Sequence, residues 1–317
     1  MKRMEMVLIS GLQQGLIYGF MALGVLLTFC LLGFPDLTVE GTFPLGAATT
    51  ATAVMEGFDP IPAVLLGAMA GALAGAATGL MHTKLKVNNI LAGILTTSGI
   101  YTVMLWAMGR PNISLLNKED FFTQVLALCG ITSGELSLRA MQISIILILF
   151  LMVAAARLLL GWFLRTDWGL TIRAAGNNEK MLSALGVDVN QTKLLTLILA
   201  NFLVGLSGAL ECQLQGFADV GLGIGVLVAA IASVILGIML FGRRSLSWLL
   251  TGVILGSILY RGLLALGLWL KLPAENFKLV TAVLVLIVLT LPNISVFNKK
   301  AAPRSNADAL AQQGPIN

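Results

Sequence analysis

The chain is 317 residues long, 57% hydrophobic and 11% charged, with a formal net charge of +5 and a mean hydropathy of +0.92. Soluble domains are about a quarter charged, so this composition excludes a water-soluble enzyme or a nucleic-acid binder despite the basic balance. Only lipid solvates that much apolar surface, and the positive charge then reports membrane orientation and not a phosphate-binding patch.

Lys2 and Arg3 precede an apolar stretch at 6–32. It is too long for the apolar core of a signal peptide and lacks an Ala-x-Ala site, so it reads as a retained first span. Residues 33–55 are apolar enough to enter a bilayer but are interrupted by Pro35, Asp36, Glu40 and Pro44. Irregular backbone persists at membrane depth only where protein buries it or water wets it. A broken or re-entrant element is therefore expected, with Asp36 and Glu40 as pathway or gate candidates because charge at that depth marks transport routes. The next span, 61–81, carries Gly67, Gly71, Gly75 and Gly79 at every fourth residue, a bare stripe along which another helix can approach closely. A span at 90–108 contains Thr97, a candidate lining residue. The segment 110–139 mixes charges with Phe121 and Phe122 and reads as an outer surface helix.

Further spans are expected at 140–162, 194–212, 225–241, 246–270 and 279–296, giving about eight helices of ~20 residues each. Between them lies a polar loop, 163–193, in which Asn177 or Asn178 can cap a short helix with Glu179 in its first turn and Gly186 at its end. Met181, Leu182 and Leu185 give that helix an apolar edge. Helices shorter than ~12 residues are marginal in water, so this one needs a surface, either its own protein's or a partner's. Asn201 is a polar lining candidate in the following span, and Asp219 lies just beyond that span. Gly33-Phe34-Pro35-Asp36-Leu37 is echoed by Gly216-Phe217-Ala218-Asp219-Val220, a weak internal repeat of the kind found in transporters built from duplicated halves. Arg261 falls near the middle of its span, where snorkelling is awkward. The expectation is a buried ion pair with Glu211, with contact to a substrate carboxylate as the competing reading.

If 33–55 does not cross, most lysines and arginines share one side with both termini, among them Lys84, Lys86, Arg165, Arg173, Lys180, Lys193, Arg243 and Arg244. The positive-inside rule then makes both termini and the 163–193 loop cytoplasmic in a multi-pass cell-membrane protein. Residues 298–317 are polar and read as a disordered tail, leaving 1–297 as the membrane domain.

Cys30, Cys129 and Cys212 are scattered and His82 is the only histidine, a pattern that supports neither a disulfide framework nor a multi-histidine metal centre. Gly205-Leu206-Ser207-Gly208 resembles the signature of rhomboid-type intramembrane serine proteases. Its only available base, His82, is expected at a cytoplasmic helix end, so proteolysis is a remote alternative. No Gly-x-x-x-x-Gly-Lys-Ser/Thr loop is present to cradle phosphates. No cofactor is expected in this chain, catalysis is not its role, and any ATP-derived energy has to enter through another subunit. A self-sufficient secondary transporter is the main alternative, which the broken helices suit and the partner-seeking loop does not.

The loop is also where a family resemblance lies. Gly169, Arg173-Ala174-Ala175-Gly176-Asn177 and Ala184-Leu185-Gly186 resemble the coupling-helix loop of permease subunits of ATP-binding-cassette importers, in the branched-chain amino acid and ribose branch. The opening stretch from Leu12-Gln13-Gln14-Gly15 to Gly24, the Gly33–Gly41 segment and Gly205-Leu206-Ser207-Gly208-Ala209-Leu210 fit the same family in order, to about Pro292. Asp36-Leu37-Thr38-Val39-Glu40-Gly41 departs from the commoner Asn-Phe-Ala-His-Gly character and resembles a subgroup associated with tryptophan- and tyrosine-type uptake. The resemblance implies an all-α, type II importer-like permease that dimerises in the lipid bilayer. It also implies a cytoplasmic ATPase bound through Asn177, Asn178, Glu179, Met181, Leu182, Leu185 and Gly186, and a solute received from an extracytoplasmic binding protein.

Overall fold

The computed structural model describes residues 2–116, 118–131, 137–242 and 245–269, together with positions 283 and 286. Seven helices in it are long and apolar enough to cross a membrane: Met4–Leu32, Pro60–Thr83, Asn89–Met108, Leu138–Phe163, Val189–Gln215, Val220–Phe241 and Leu246–Gly267. They coincide with the expected spans up to 246–270. The last expected span, 279–296, and the tail at 298–317 lie outside the described residues.

In chain order the helices are α1 (Lys2–Val25), α2 (Val39–Met55), α3 (Pro60–Thr83), α4 (Asn89–Met108), α5 (Phe121–Leu128), α6 (Leu138–Phe163), α7 (Asp167–Asn177), α8 (Glu179–Ala184), α9 (Val189–Gln215), α10 (Val226–Phe241) and α11 (Leu246–Trp269). α1 runs directly into a π-helix, Leu26–Leu32, which Gly33 ends at φ 70°. Two short strands, β1 (Asn112–Ser114) and β2 (Phe217–Asp219), pair antiparallel with Ile113 opposite Ala218. α5 is the surface helix expected in 110–139. Asp120 and Thr123 form a reciprocal capping box at its start, and Phe121 and Phe122 are buried.

The segment 33–55 corrects the sequence reading. It is not broken or re-entrant: after an irregular stretch at 33–38, α2 continues as one helix past Pro44 and is buried along nearly its whole length. At about 1.5 Å per residue its 17 residues span about 25 Å, and α3, α4 and α9 sheathe it. Pro44 removes the N–H that would bond to the Glu40 carbonyl. Gly223 is packed against that carbonyl and against the Pro44 ring, where a Cβ would collide.

This extra crossing overturns the expectation that the N-terminus and the 163–193 loop share a side. Near the start of α1, Glu5 pairs with Arg139, at the start of α6, at 2.9 Å. At the other end, Leu31 and Gly33 lie against Gly176 of α7. The first helix therefore begins on one face and ends on the opposite face beside the loop, and the segment 33–55, whose prolines and carboxylates imitate an interruption, makes the additional crossing. The loop face also holds the α3–α4 connection with Lys84 and Lys86, whereas α5 and the β1–β2 ribbon lie on the opposite face.

Candidate functional site

The loop-face end of α2 is held by a buried polar network. Gly33 in the left-handed region and Pro35 turn the chain out of the π-helix. Asp36 then accepts the backbone N–H of Thr38 at 2.9 Å and, through its second oxygen, the Asn201 side-chain amide at 2.7 Å. Asn201 returns its carbonyl to the Thr42 hydroxyl at 2.7 Å. Thr38 and Thr78 share a hydroxyl bond of 2.7 Å, and the Thr78 hydroxyl lies 2.8 Å from that of Thr96. Thr97 donates to the Leu37 carbonyl at 3.2 Å. Four helices, α2, α3, α4 and α9, are thus tied at one point. Asp36 and Asn201 are fully buried, while Glu40, one turn further along, is half-buried and stands apart from these bonds.

The glycine stripe places Asn201 there. A Cβ on Gly71 would lie 2.9 Å from Gly205 Cα, and one on Gly75 would lie 2.8 Å from Asn201 Cβ. Gly67 meets Gly46 and Ala209, and Gly79 meets Leu194. α3 consequently lies on α9 backbone to backbone, and the stripe packs within one chain.

The two sequence echoes adopt the same local structure at opposite faces. Gly216 ends α9 at φ 74°, as Gly33 ends the π-helix at φ 70°. Asp219 accepts the N–H of Gly221 at 2.7 Å and the side-chain amide of Asn112 at 3.1 Å, the bonds Asp36 makes with Thr38 and Asn201. One copy is a buried inter-helix tie; the other is a half-buried tie in the β1–β2 ribbon.

On the loop face, Asn178 caps α8 by accepting from Met181 N at 3.1 Å, while Asn177 ends α7. Glu179 pairs with Lys193 at 2.8 Å. Leu185 closes the helix and Gly186 follows at φ 81°. The apolar edge is divided, which corrects the sequence reading. Leu182 is buried with Leu32, Phe34, Ile172 and Leu197 in the protein's own core, whereas Met181 and Leu185 are exposed. α7 was not foreseen, because its alternation of Arg173 with alanines and glycines carries no strong helical period. Gly176 lets it lie on the Leu31 carbonyl.

In the opposite-face half, the expected Arg261–Glu211 ion pair is not formed: among the described residues the ion pairs are Arg139–Glu5 and Lys193–Glu179. The Arg261 guanidinium instead lies 3.4 Å over the centre of the Tyr18 ring and reaches Gln14 Oε1 at 3.4 Å. A stacked aromatic face solvates a cation without a carboxylate, a partner that depth along the span could not reveal. Glu211, also buried, accepts a hydrogen bond from Gln215. The protease reading finds no dyad: Ser207 donates to the Ile17 carbonyl at 2.8 Å, while His82 packs edge-on to Phe34 at the loop face.

Replacing Asp36 by Leu removes the acceptor for two buried donors, Thr38 N–H and the Asn201 amide, and each stranded donor costs ~1–3 kcal/mol. A lower unfolding temperature in detergent is expected for Asp36→Leu, with Asp36→Asn intermediate because one bond survives. Wild-type melting of the leucine variant would show that the network does not hold α2.

Residues 7–289 match the family described as the permease component of branched-chain amino acid transport systems. The chain is similar to the tyrosine transport system permease protein of Clostridioides difficile, 34% identical over 92% of this chain and 94% of that one. It is similar to the ribose import permease protein RbsC of Bacillus subtilis, 28% identical over 88% of this chain and 82% of that one. Among solved structures, PsaBC from Streptococcus pneumoniae in complex with Fab aligns over 90% of each chain at 18% identity with a TM-score of 0.47.

Proposed function

The chain belongs to the permease-component family of branched-chain amino acid transport systems, and from that premise we propose that it carries an aromatic amino acid inward across the cell membrane. In this reading an extracytoplasmic binding protein delivers the solute, and a separate ATPase subunit drives the spans of a permease homodimer between two packed arrangements. The observation that carries it is the loop-face helix pair: Leu182 anchors α8 in the protein's own core while Met181 and Leu185 stand exposed as a docking edge. The amino-acid solute is supported by the similarity to a tyrosine transport system permease.

The loop face is cytoplasmic in this proposal. It carries Lys84, Lys86, Arg165, Arg173, Lys180 and Lys193, against Arg110, Lys118, Arg139 and the N-terminal Lys2 and Arg3 opposite. The N-terminus is accordingly extracytoplasmic. Single cysteines test this in a Cys129→Ser background, since Cys129 is natively exposed. An impermeant thiol reagent outside intact cells is expected to label Met4→Cys and Lys118→Cys and to miss Asn178→Cys. Labelling at 178, or protection at 4 with labelling at 118, would overturn the orientation or the crossing of α2 respectively.

The function itself is tested by uptake. Cells expressing the permease together with an ATPase subunit and a binding protein of this importer family should accumulate labelled L-tyrosine in an ATP-dependent manner. No gene-dependent uptake of any amino acid would overturn the reading.

A further inference from the structure

Two guanidinium groups converge on one residue where the loop-face ends of α6 and α11 meet. Arg157 donates through Nε to the Thr251 hydroxyl at 2.8 Å and through Nη2 to the Ser247 carbonyl at 3.3 Å. Arg165, just past the end of α6, donates through Nη2 to the Ser247 hydroxyl at 2.9 Å. All three acceptors are neutral. Each guanidinium is permanently charged and carries five N–H donors, so these bonds leave most of the donors for another acceptor. Among the described residues the ion pairs are Arg139–Glu5 and Lys193–Glu179, and Asp167, two residues from Arg165, pairs with neither arginine. Like charges gathered in this way repel unless an anion is shared between them.

The surroundings say what kind of anion. Arg157 springs from a point about 9 Å inside the end of α6, and its head is carried to the first two turns of α11. Trp162 and Trp248, on the same ends of the same two helices, are exposed, as is Trp168 at the start of α7. Indole rings concentrate at the headgroup level of a bilayer, so the arginines lie where lipid phosphates lie. Leading up to Trp162 at helical spacing, Leu147, Leu151 and Leu158 are exposed as well, and α6 is the least buried of the seven spans. That face matches acyl chains.

We infer that the loop-face junction of α6 and α11 binds an anionic phospholipid, Arg157 and Arg165 sharing its phosphate while the face of α6 from Leu147 to Trp162 carries its chains. Basic sites between spans at the cytoplasmic surface suit such headgroups. The shared phosphate cancels the repulsion between the two guanidinium groups and braces the start of α11 against α6, beside the α7–α8 docking loop. The apolar face below the arginines favours lipid over an acidic side chain of a soluble partner, which would leave that face uncovered. The site is independent of which solute is carried.

The test places the full-length permease in phosphatidylcholine nanodiscs and adds lipid with brominated chains, which quenches the tryptophans it touches. Brominated phosphatidylglycerol is compared with brominated phosphatidylcholine. Attraction of an anionic lipid is worth roughly fivefold per arginine, so the wild type is expected to prefer phosphatidylglycerol by on the order of twentyfold. Arg165→Gln should cut that preference by about fivefold, and Arg157→Gln combined with Arg165→Gln should remove it. Arg139→Gln, on the opposite face, should leave it intact. Quenching by brominated phosphatidylcholine should be the same in every variant, which separates lost selectivity from lost fold. Equal quenching by the two lipids in the wild type, or a preference that survives the double substitution, overturns the site. So does loss of the preference on adding inorganic phosphate, which would mean that the arginines take a free anion. Loss of ATPase co-purification in Arg165→Gln with unchanged lipid preference would also overturn it, by assigning the charge to the partner subunit.

Discussion

Leu185→Asp is expected to abolish uptake while leaving the permease in the membrane at its normal level. Leu185 is 71% exposed and Met181 50% exposed, so an aspartate there costs the isolated subunit little. Docked in an ATPase groove, the same carboxylate loses its water without gaining a partner. Such burial costs several kcal/mol, and about 3 kcal/mol alone is a roughly hundredfold weaker association. Leu182→Asp is the informative contrast: at 5% exposure it places a charge in the permease's own core and should lower the amount of folded protein. Co-purification of the ATPase, uptake and membrane abundance separate the two. Normal ATPase recovery and uptake with Leu185→Asp would show that the exposed edge is not the docking surface.

Gly71→Leu should severely damage the fold. A Cβ at that position meets the Asn201 carbonyl and the Gly205 Cα, which are backbone atoms of α9 that cannot rotate away. Forced overpacking costs ~1–3 kcal/mol where side chains can adjust, and the helices have no side chains here to adjust. α3 must lift from α9, breaking the Thr38–Thr78–Thr96 hydroxyl chain as it goes. Gly99→Leu on α4 serves as control, because nothing lies within 4 Å of its Cβ position. Detergent-solubilised Gly71→Leu should be recovered largely as aggregate and Gly99→Leu as wild type. Equal recovery of the two would mean that the close approach of α3 and α9 is not required.

What the sequence made legible was what local composition encodes. Apolar runs of bilayer length mark the spans, the Gly67–Gly79 stripe marks a close helix contact, and Gly-Phe-x-Asp marks two equivalent turns. What it hid depends on partners distant in the chain. Asp36 and Pro44 suggest a broken helix only while the partner of Asp36 is unknown. With Asn201 supplying an amide from 165 residues away, the polar start of α2 is satisfied inside the protein and the helix crosses. Each crossing inverts the side of everything before it, so the N-terminus lies on the face opposite the loop. Arg261 is a related case: its depth predicts that it needs compensation but not that Tyr18 supplies it with a ring face. In the loop, the division of Met181 and Leu185 from Leu182 follows from where α8 rests, and a helix this short has too few turns for its pattern to specify one buried side.

Pro44 gives α2 an uneven stiffness. Every other turn of that helix is clamped by a repeating hydrogen bond, but the rung joining residue 44 to the Glu40 carbonyl is absent, and Gly223 fills the space beside it without adding a donor bond. A load applied along α2 therefore concentrates at this one joint, in the second turn of the helix. The first turn, knotted to Asn201 through Thr42, can stay fixed while the longer part beside the β1–β2 ribbon tilts, so movement on one face need not pull apart the anchor on the other.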